Sequence, residues 1–221
     1  MANYTTIKEA FKLVKVSKDN PELVEGPALK ILVRYYKEHG HTIADKTEMI
    51  MSNFVENGRF QIDGKGKAMV VADSRANAVR YYFAIKEYMK KHPAECEGCG
   101  VLVAFSGTVK LDEMEYTEAS LNVDEDGQPI TSDKKFRKAF RGSKYNILVV
   151  ANKYQTGFDE PLLHTMYVDK KLKSVNAVQT LSRLNRTCRG KTSTFVLDFV
   201  NTDEQIKKSF QPFYTATFLE G

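Results

Sequence analysis

The hydrophobic pattern of the chain changes after residue 66. Before that point, apolar residues recur every three or four positions, most clearly over residues 28–36 and 49–55. This spacing is typical of amphipathic helices. It predicts a helical connector over residues 1–66, whose second helix begins after Thr42 and ends near Asn57.

After residue 66, short apolar runs alternate with helical stretches. The five runs are rich in Val, Leu, Ile and Ala, and they begin at Ala68, Val101, Ile147, Met166 and Thr194. Amphipathic segments lie between them, one from Ser74 to about Lys91 and another capped near Ser132. Continuous apolar strands separated by helices require crossover connections, and these place a parallel sheet between two helical layers.

We therefore expect an α/β protein with a three-layer domain and a mainly parallel sheet. The domain is predicted to occupy residues 67–201, after the α-helical connector of residues 1–66 and before a C-terminal helical tail over residues 202–221. Ligands of such sheets bind beyond the carboxyl ends of the strands, so the residues that follow each strand are the first candidates for a site.

Composition narrows the class of protein. Hydrophobic residues make up 42% of the chain, which includes 13 Phe and 11 Tyr, so a folded core is expected rather than disorder. Three cysteines are too few for a disulfide framework. The sequence has no apolar stretch near the ~20 residues of a membrane span and no signal-peptide pattern. We expect a soluble, cytoplasmic chain without a membrane partner.

Charge is unevenly distributed along the chain. The formal net charge is +5, which alone is weak evidence for a nucleic-acid partner. Residues 112–126 hold seven acids and no Lys or Arg, and we expect this acidic segment to be partly helical. Residues 141–200 hold ten basic residues and four acids, so an anionic partner would bind there. Scattered, solvated lysines explain the same counts equally well.

Two strand ends carry small hydroxyl residues. Ser74 opens a helix after the first run, where a hydroxyl and backbone N–H groups suit a phosphate, although an ordinary N-cap explains Ser74 as well. Ser106, Gly107 and Thr108 follow the second run and permit a close backbone approach. The sequence has no P-loop, because Gly190-Lys191-Thr192 lacks the required preceding glycine and leads from a helix into a strand.

The most informative segment lies before the last strand. Gln179 and Arg183 are four residues apart and share a helix face, with Arg186 three residues further on or in the turn beyond. Two guanidinium groups and an amide suit a polyphosphate, although a solvated basic face has the same spacing. Upstream, Gly157 permits a tight turn and Asp159 can accept a hydrogen bond from a sugar or a backbone N–H.

The pair Cys96 and Cys99 forms a lone C-x-x-C, with His92 nearby in sequence. Zinc needs four ligands and no second pair is present, so a surface loop is the more economical interpretation. We expect no metal there.

The order of these motifs resembles the second RecA-like domain of a superfamily 2 helicase motor. The motifs are residues 66–75, ending in Ser74-Arg75, then Thr-Gly-Phe-Asp-Glu-Pro at 156–161, then Gln179-x-x-x-Arg183-x-x-Arg186. More narrowly, they resemble the R (motor and endonuclease) subunit of a type I restriction-modification enzyme. The closing Val-Leu-Asp-Phe-Val-Asn at 196–201 is also similar to that family. The resemblance covers the chain from about Ala68 onward.

The resemblance implies a specific role for each candidate. ATP and Mg²⁺ bind between two RecA-like domains and are held mostly by the first, so this chain would supply the opposing wall. Arg186 would be the arginine finger and Arg183 a second catalytic phosphate contact. The implied nucleotide-binding residues are Gln179, Gly157 and Asp159. The implied DNA-binding residues are Ser74, Arg75, Ser106, Gly107, Thr108 and Thr156.

The implied protein is an ATP-dependent, DNA-translocating site-specific deoxyribonuclease. Its partners would be double-stranded DNA and the methyltransferase and specificity subunits, and this chain alone would be inactive. Two departures weaken the DNA contacts: Thr180 replaces an arginine common in helicases, and Ala151 replaces a threonine, for which Lys153 or Tyr154 could substitute. The alternatives are another superfamily 2 DNA helicase, or a catalytically silent α/β module that binds DNA or a partner.

Overall fold

The computed structural model describes residues 2–6, 42–124, 126–154 and 157–217. The first predicted connector helix, over residues 28–36, and the predicted DNA contact Thr156 therefore lie outside the described residues. Within those ranges, no helix has both the length and the apolar character that crossing a bilayer requires.

A parallel sheet of six strands forms the centre of the domain. Its strands are β1 (Ala2–Thr6), β2 (Lys67–Ala72), β3 (Val101–Ala104), β6 (Ile147–Val150), β7 (Leu163–Asp169) and β8 (Thr194–Asp198), and β4 (Val109–Leu111) and β5 (Met114–Tyr116) form a separate antiparallel hairpin. The sheet order is β1-β8-β7-β2-β6-β3, and every neighbouring pair is parallel. The five strands expected after residue 66 are confirmed.

Within the described residues, six helices and several shorter turns flank the sheet. They are α1 (Ile43–Glu56), α2 (Arg75–Lys91), α3 (Glu118–Leu121), α4 (Asp133–Arg141), α5 (Ser174–Leu181) and α6 (Asp203–Thr217). Short helical turns occupy Gly58–Phe60, Gln61–Gly64 and Ser182–Asn185. The hydroxyls of Thr42, Ser74 and Ser132 accept hydrogen bonds from backbone N–H groups in the first turns of α1, α2 and α4, which fixes where these helices begin.

The helices cover both faces of the sheet and give three layers. On one face, side chains of α1 and α2, such as Phe54 and Tyr81, pack on the sheet residues Val70 and Val149. On the other face, Phe136 of α4 and Leu181 of α5 belong to a second apolar cluster. Strands β2, β3, β6 and β7 are buried along their whole length, which explains their uninterrupted apolar runs.

One prediction about local structure is wrong, and one hairpin was not predicted. The helical pattern was expected to begin near residue 3, but Ala2–Thr6 forms strand β1, which pairs in register with Thr194–Asp198. The acidic segment was expected to be partly helical, and Glu118–Leu121 is helical, but residues 112–116 belong to the β4–β5 hairpin, which the sequence pattern did not predict. The hairpin turn places Asp112 and Glu113 at positive φ. Gly or Asn usually marks such a turn in a sequence, and neither is present at these two positions.

Strand β3 ends the sheet on one side, and a side chain covers its edge. The Asn122 amide accepts a hydrogen bond from the Val103 N–H at 2.9 Å and donates one to the Val103 carbonyl at 2.7 Å. A second donor bond from Asn122 reaches the Glu118 carbonyl at 2.9 Å. The buried amide thus imitates a neighbouring strand, and the edge groups of Val103 do not remain open for pairing with another chain.

Candidate functional site

The arginine motif and the Gly-Phe-Asp motif meet at the amino edge of the sheet. The connection after β6 crosses the domain to the start of β7, so Asp159 lies just before Leu163. Helix α5 runs back from the end of β7, so Arg183 and Arg186 lie before the start of β8. We expected candidates at the carboxyl ends of the strands, but the two connections carry this group to the opposite edge.

Arg186 and Asp159 form an ion pair in this group. The Arg186 Nε lies 2.8 Å from the Asp159 Oδ1, and the two side chains are 56% and 59% exposed. Arg186 follows the 3-10 turn with an extended backbone, so it lies in the turn beyond α5 rather than on the helix. An ion pair this exposed adds little to stability. Its guanidinium is accessible to an anionic ligand that competes with Asp159.

Arg183 is held more firmly than Arg186. Its Nε donates to the Gln179 carbonyl at 3.0 Å and its Nη1 donates to the Phe158 carbonyl at 3.2 Å. Arg183 and Gln179 are both half-buried. Leu181 and Leu184, on another side of the helix, are buried. Arg183 therefore ties α5 to the loop that carries Gly157 and Asp159. Gly157 has φ of 67°, which favours glycine in that loop.

Helix α4 supplies two arginines that sequence analysis missed. Arg137 Nη1 donates to the Gly157 carbonyl at 3.3 Å, and Arg141 Nη2 donates to the Asp159 carbonyl, also at 3.3 Å. The Arg137 Nε lies 2.6 Å from the Asp133 Oδ2, and this ion pair orients the arginine. Asp133, Arg137 and Arg141 follow one another at intervals of four residues, which is visible in the sequence. Nothing in the sequence indicates that their helix lies beside the Gly-Phe-Asp loop.

A second group of candidates lies at the carboxyl edge, after β2 and β3. Arg75 Nη1 donates to the Ser106 carbonyl at 2.9 Å. A Cβ at Gly107 would lie 3.1 Å from the same nitrogen, and Gly107 has φ of 77°, so glycine permits this approach. The Ser74 hydroxyl accepts from the Asn77 N–H, which makes Ser74 an N-cap. Arg75, Ser106, Gly107 and Thr108 are exposed.

Lys153 and Tyr154, the suggested substitutes for the threonine that Ala151 replaces, both have partners within the domain. Lys153 Nζ lies 2.7 and 2.9 Å from the two carboxylate oxygens of Glu118. Tyr154 is buried, and its hydroxyl donates to the Asp133 carboxylate. The Tyr154 hydrogen bond holds the pKa of the Asp133 carboxyl below its usual range. Both side chains therefore stabilise the carboxyl edge.

The cysteine pair lies in a turn fixed by an arginine. Arg59 donates to the Glu95 and Glu97 carbonyls at 2.8 Å each, and its Nη1 lies 3.7 Å from the Cys99 sulfur. Burial raises the pKa of Cys96 to about 11 and also raises the pKa of Cys99. Both thiols therefore stay protonated near neutral pH, a state that disfavours nucleophilic attack and metal binding.

Lys67 is a buried cation at the amino edge, and its titration is testable. Its Nζ donates to the Gly142 and Tyr145 carbonyls at 2.8 and 2.7 Å, and it is 4% exposed. Burial lowers the Lys67 pKa to about 8, against an opposing attraction to Glu160. The Lys67 pKa is lower in the folded protein than in the unfolded chain, so folding favours the neutral amine. The contribution of Lys67 to the free energy of unfolding is therefore complete above the unfolded pKa and is lost as pH falls through about 8.

We expect the free energy of unfolding of the wild type to rise relative to Lys67→Met between pH 8 and 9.5. The slope of the difference is at most about 1.4 kcal/mol per pH unit. Urea unfolding of both proteins at several pH values measures it, and taking the difference cancels the other titrating groups. Lys65→Met, which alters an exposed lysine nearby, should track the wild type. An unchanged pH slope in Lys67→Met would contradict the prediction.

Comparison with known proteins finds similarity to one family. The model of "Type I restriction enzyme subunit R domain 3" matches residues 128–201. A putative type I restriction enzyme MjaIXP endonuclease subunit of Methanocaldococcus jannaschii is 31% identical over 163 residues, which are 71% of this chain and 14% of that protein. The chain is a relative of type I restriction enzyme R subunits.

The chain is also similar to a second endonuclease subunit and to one solved structure. The type I restriction enzyme SauCOLORF180P endonuclease subunit of Staphylococcus aureus (strain COL) is 45% identical over 53 residues, 24% of this chain and 6% of that protein. The crystal structure of the DUF1998 helicase MrfA bound to DNA matches 78% of this chain and 19% of its own, at 14% identity and a TM-score of 0.46.

The match to R-subunit domain 3 covers one of the two candidate groups. Residues 128–201 include helix α4, the Gly-Phe-Asp loop, helix α5 and strand β8. The four arginines of the candidate group, Arg137, Arg141, Arg183 and Arg186, therefore lie inside the matched segment, whereas Ser74 to Thr108 lie before it. The chain spans about 14% of the length of the M. jannaschii R subunit.

Proposed function

We propose that this chain is the second motor domain of a type I restriction enzyme R subunit, an ATP-dependent DNA translocase and endonuclease. The observation that carries the proposal is the exposed Arg186 guanidinium, which lies beside Asp159 in a segment that the R-subunit domain model matches. An exposed, permanently charged fork suits the γ-phosphate of a nucleotide held by another domain.

The residues of the amino edge divide the work on the nucleotide. Arg186 stabilises the charge on the transferring phosphoryl group, and Arg183 is a second phosphate contact reached from the end of α5. Asp159 accepts from the ribose, Gly157 forms the turn, and Gln179 links α5 to the nucleotide. The guanidinium groups fit ATP as an anion. When bound, ATP supplies the phosphoanhydride bond whose hydrolysis drives movement.

Mg²⁺ belongs to the first motor domain in this proposal. Within the part of the chain that the structure describes, no group of three or more His, Cys, Asp or Glu side chains could hold a metal ion. The assignment of the metal to the other domain rests on the family resemblance.

The carboxyl edge forms part of the DNA track. The exposed Arg75, Ser106, Gly107 and Thr108 contact the phosphate backbone, and Ser74 positions the helix N-terminus behind them. The assignment of Thr156 as a DNA contact rests on the family resemblance alone, because Thr156 lies outside the described residues. The methyltransferase and specificity subunits complete the enzyme, and specificity for a DNA site resides outside this chain.

Mixing this chain with the first motor domain tests the proposal. We expect DNA-dependent ATP hydrolysis in the mixture and none from either part alone, because each holds half of the ATP site. Displacement of a triplex-forming strand from intact duplex would identify translocation, whereas separation of the duplex strands would favour another superfamily 2 helicase. If the chain binds DNA but adds no ATPase activity, it is a silent binding module.

A further inference from the structure

The Gly190-Lys191-Thr192 segment, which is not a P-loop, places a lysine at the centre of the amino edge. The Lys191 ammonium donates to three backbone carbonyls, at 3.1 Å to Pro161, 2.8 Å to Leu163 and 2.7 Å to Arg186. An ammonium has three donors, so one side chain satisfies all of them with backbone acceptors. This arrangement leaves Lys191 with no donor for a phosphate.

The three acceptors belong to the two segments that form the candidate site. Pro161 and Leu163 lie just after Asp159, where its loop enters β7, and Arg186 is the other half of the ion pair. The ammonium therefore joins the backbone just after Asp159 to the backbone of Arg186. The Cys188 thiol lies 3.5 Å from the Pro161 carbonyl and adds a weaker contact at the same junction.

Local geometry brings Lys191 to this position. Gly190 has φ of 83°, a backbone conformation that favours glycine, and its nearest side-chain neighbour is the exposed Asp63 carboxylate. The Lys191 side chain is half-buried, and burial lowers its pKa. A long side chain that loses both water and rotamer freedom needs several hydrogen bonds in return, and it has three here.

We propose that Lys191 is a positioning residue that fixes the backbone of Arg186 relative to the Asp159 loop and so aims the guanidinium at the nucleotide. The inference rests on the proposed function of Arg186. Lys191 acts through the backbone of Arg186 and does not contact ATP. Its loss misplaces the finger during the phosphoryl-transfer step, whereas ground-state binding of ATP, which is held mostly by the other domain, is little affected.

The ATPase of the motor assembled with its first domain tests the inference. Lys191→Met keeps the apolar stem and removes the donors, and we expect kcat to fall about tenfold with less than a threefold change in KM. Lys171→Met alters an exposed lysine at the far end of β7 and should match the wild type. In an Arg186→Ala background, Lys191→Met should cause no further loss of kcat, because the residue through which it acts is gone.

Each outcome of this cycle separates the two proposals. If the two losses multiply in the double variant, Lys191 acts independently of Arg186 and the inference fails while the finger stands. If Lys191→Met alone keeps the wild-type kcat, the inference about Lys191 also fails while the finger assignment of Arg186 stands. If Arg186→Ala alone retains wild-type kcat, the proposed function fails, and the inference fails with it.

A second readout uses the chain without its partner domain. Opening of the junction should expose the Cys188 thiol, so a thiol reagent should modify Cys188 severalfold faster in Lys191→Met than in the wild type, as followed by peptide mass spectrometry. Lys191→Arg, which keeps a charged donor, should restore much of the protection. Equal modification rates in all three proteins would overturn the positioning role even if Lys191→Met is less stable.

Discussion

Replacement of Arg186 by alanine should lower kcat for ATP hydrolysis by about 10³-fold in the motor assembled with its first domain. The guanidinium is expected to contact the γ-phosphate where charge develops, so its loss affects the transition state more than the ground state. KM for ATP should change less than threefold. Steady-state ATPase measurements with saturating duplex DNA determine both constants.

A stability measurement on Arg186→Ala and two further variants control for other causes of lost activity. Because the ion pair with Asp159 is exposed, Arg186→Ala should change the free energy of unfolding by less than ~1 kcal/mol. Arg189→Ala removes an exposed arginine from the same connection and should keep wild-type kcat. Arg186→Lys keeps the charge without the planar fork and should recover little activity. A kcat within threefold of wild type in Arg186→Ala would refute the finger assignment.

Replacement of Asp198 by alanine should have the largest effect on stability, a loss of about 3 kcal/mol in the free energy of unfolding. The carboxylate is fully buried and accepts from the N–H groups of Val200 and Asn201 at 2.8 and 2.7 Å. It also accepts from the Asn201 amide at 2.9 Å. Alanine would leave the buried donors of Asn201 without their acceptor, which costs more than the bonds themselves contribute.

The loss should extend beyond strand β8. The Asn201 side chain accepts from the Leu172 N–H at 2.9 Å and donates to the Lys170 carbonyl at 2.8 Å, so it links the end of β8 to the connection before α5. Denaturant titration measures the change. Asp203→Ala, which removes only a surface pair with Lys207, should cost less than ~1 kcal/mol. Equal losses in the two variants would show that the buried network contributes nothing special.

The parts of the fold that depend on local sequence could be predicted. The runs beginning at Ala68, Val101 and Ile147 are buried on both faces, so their apolar character is continuous and easily recognised. The N-caps Ser74 and Ser132 were also visible, because a hydroxyl before an amphipathic segment has a clear role.

The parts that depend on distant partners could not be predicted. The short, partly polar segment Ala2–Thr6 becomes a strand because it pairs with Thr194–Asp198, nearly the whole chain away. Asp159 and Arg186 were each recognised as candidates, but their contact arises where two crossovers end at the same sheet edge. The contribution of Arg137 and Arg141 likewise depends on where α4 packs.

The two groups of candidate residues lie at opposite edges of one sheet, and this has a mechanical consequence. Strand β2 is six residues long, so the edges are about 20 Å apart. Buried parallel strands packed between two helical layers compress very little. A shift imposed at the arginine edge would therefore reach the Arg75 edge as a displacement of one stiff body. Under the proposed function, the rigid sheet transmits the motion caused by nucleotide hydrolysis to the residues that contact DNA.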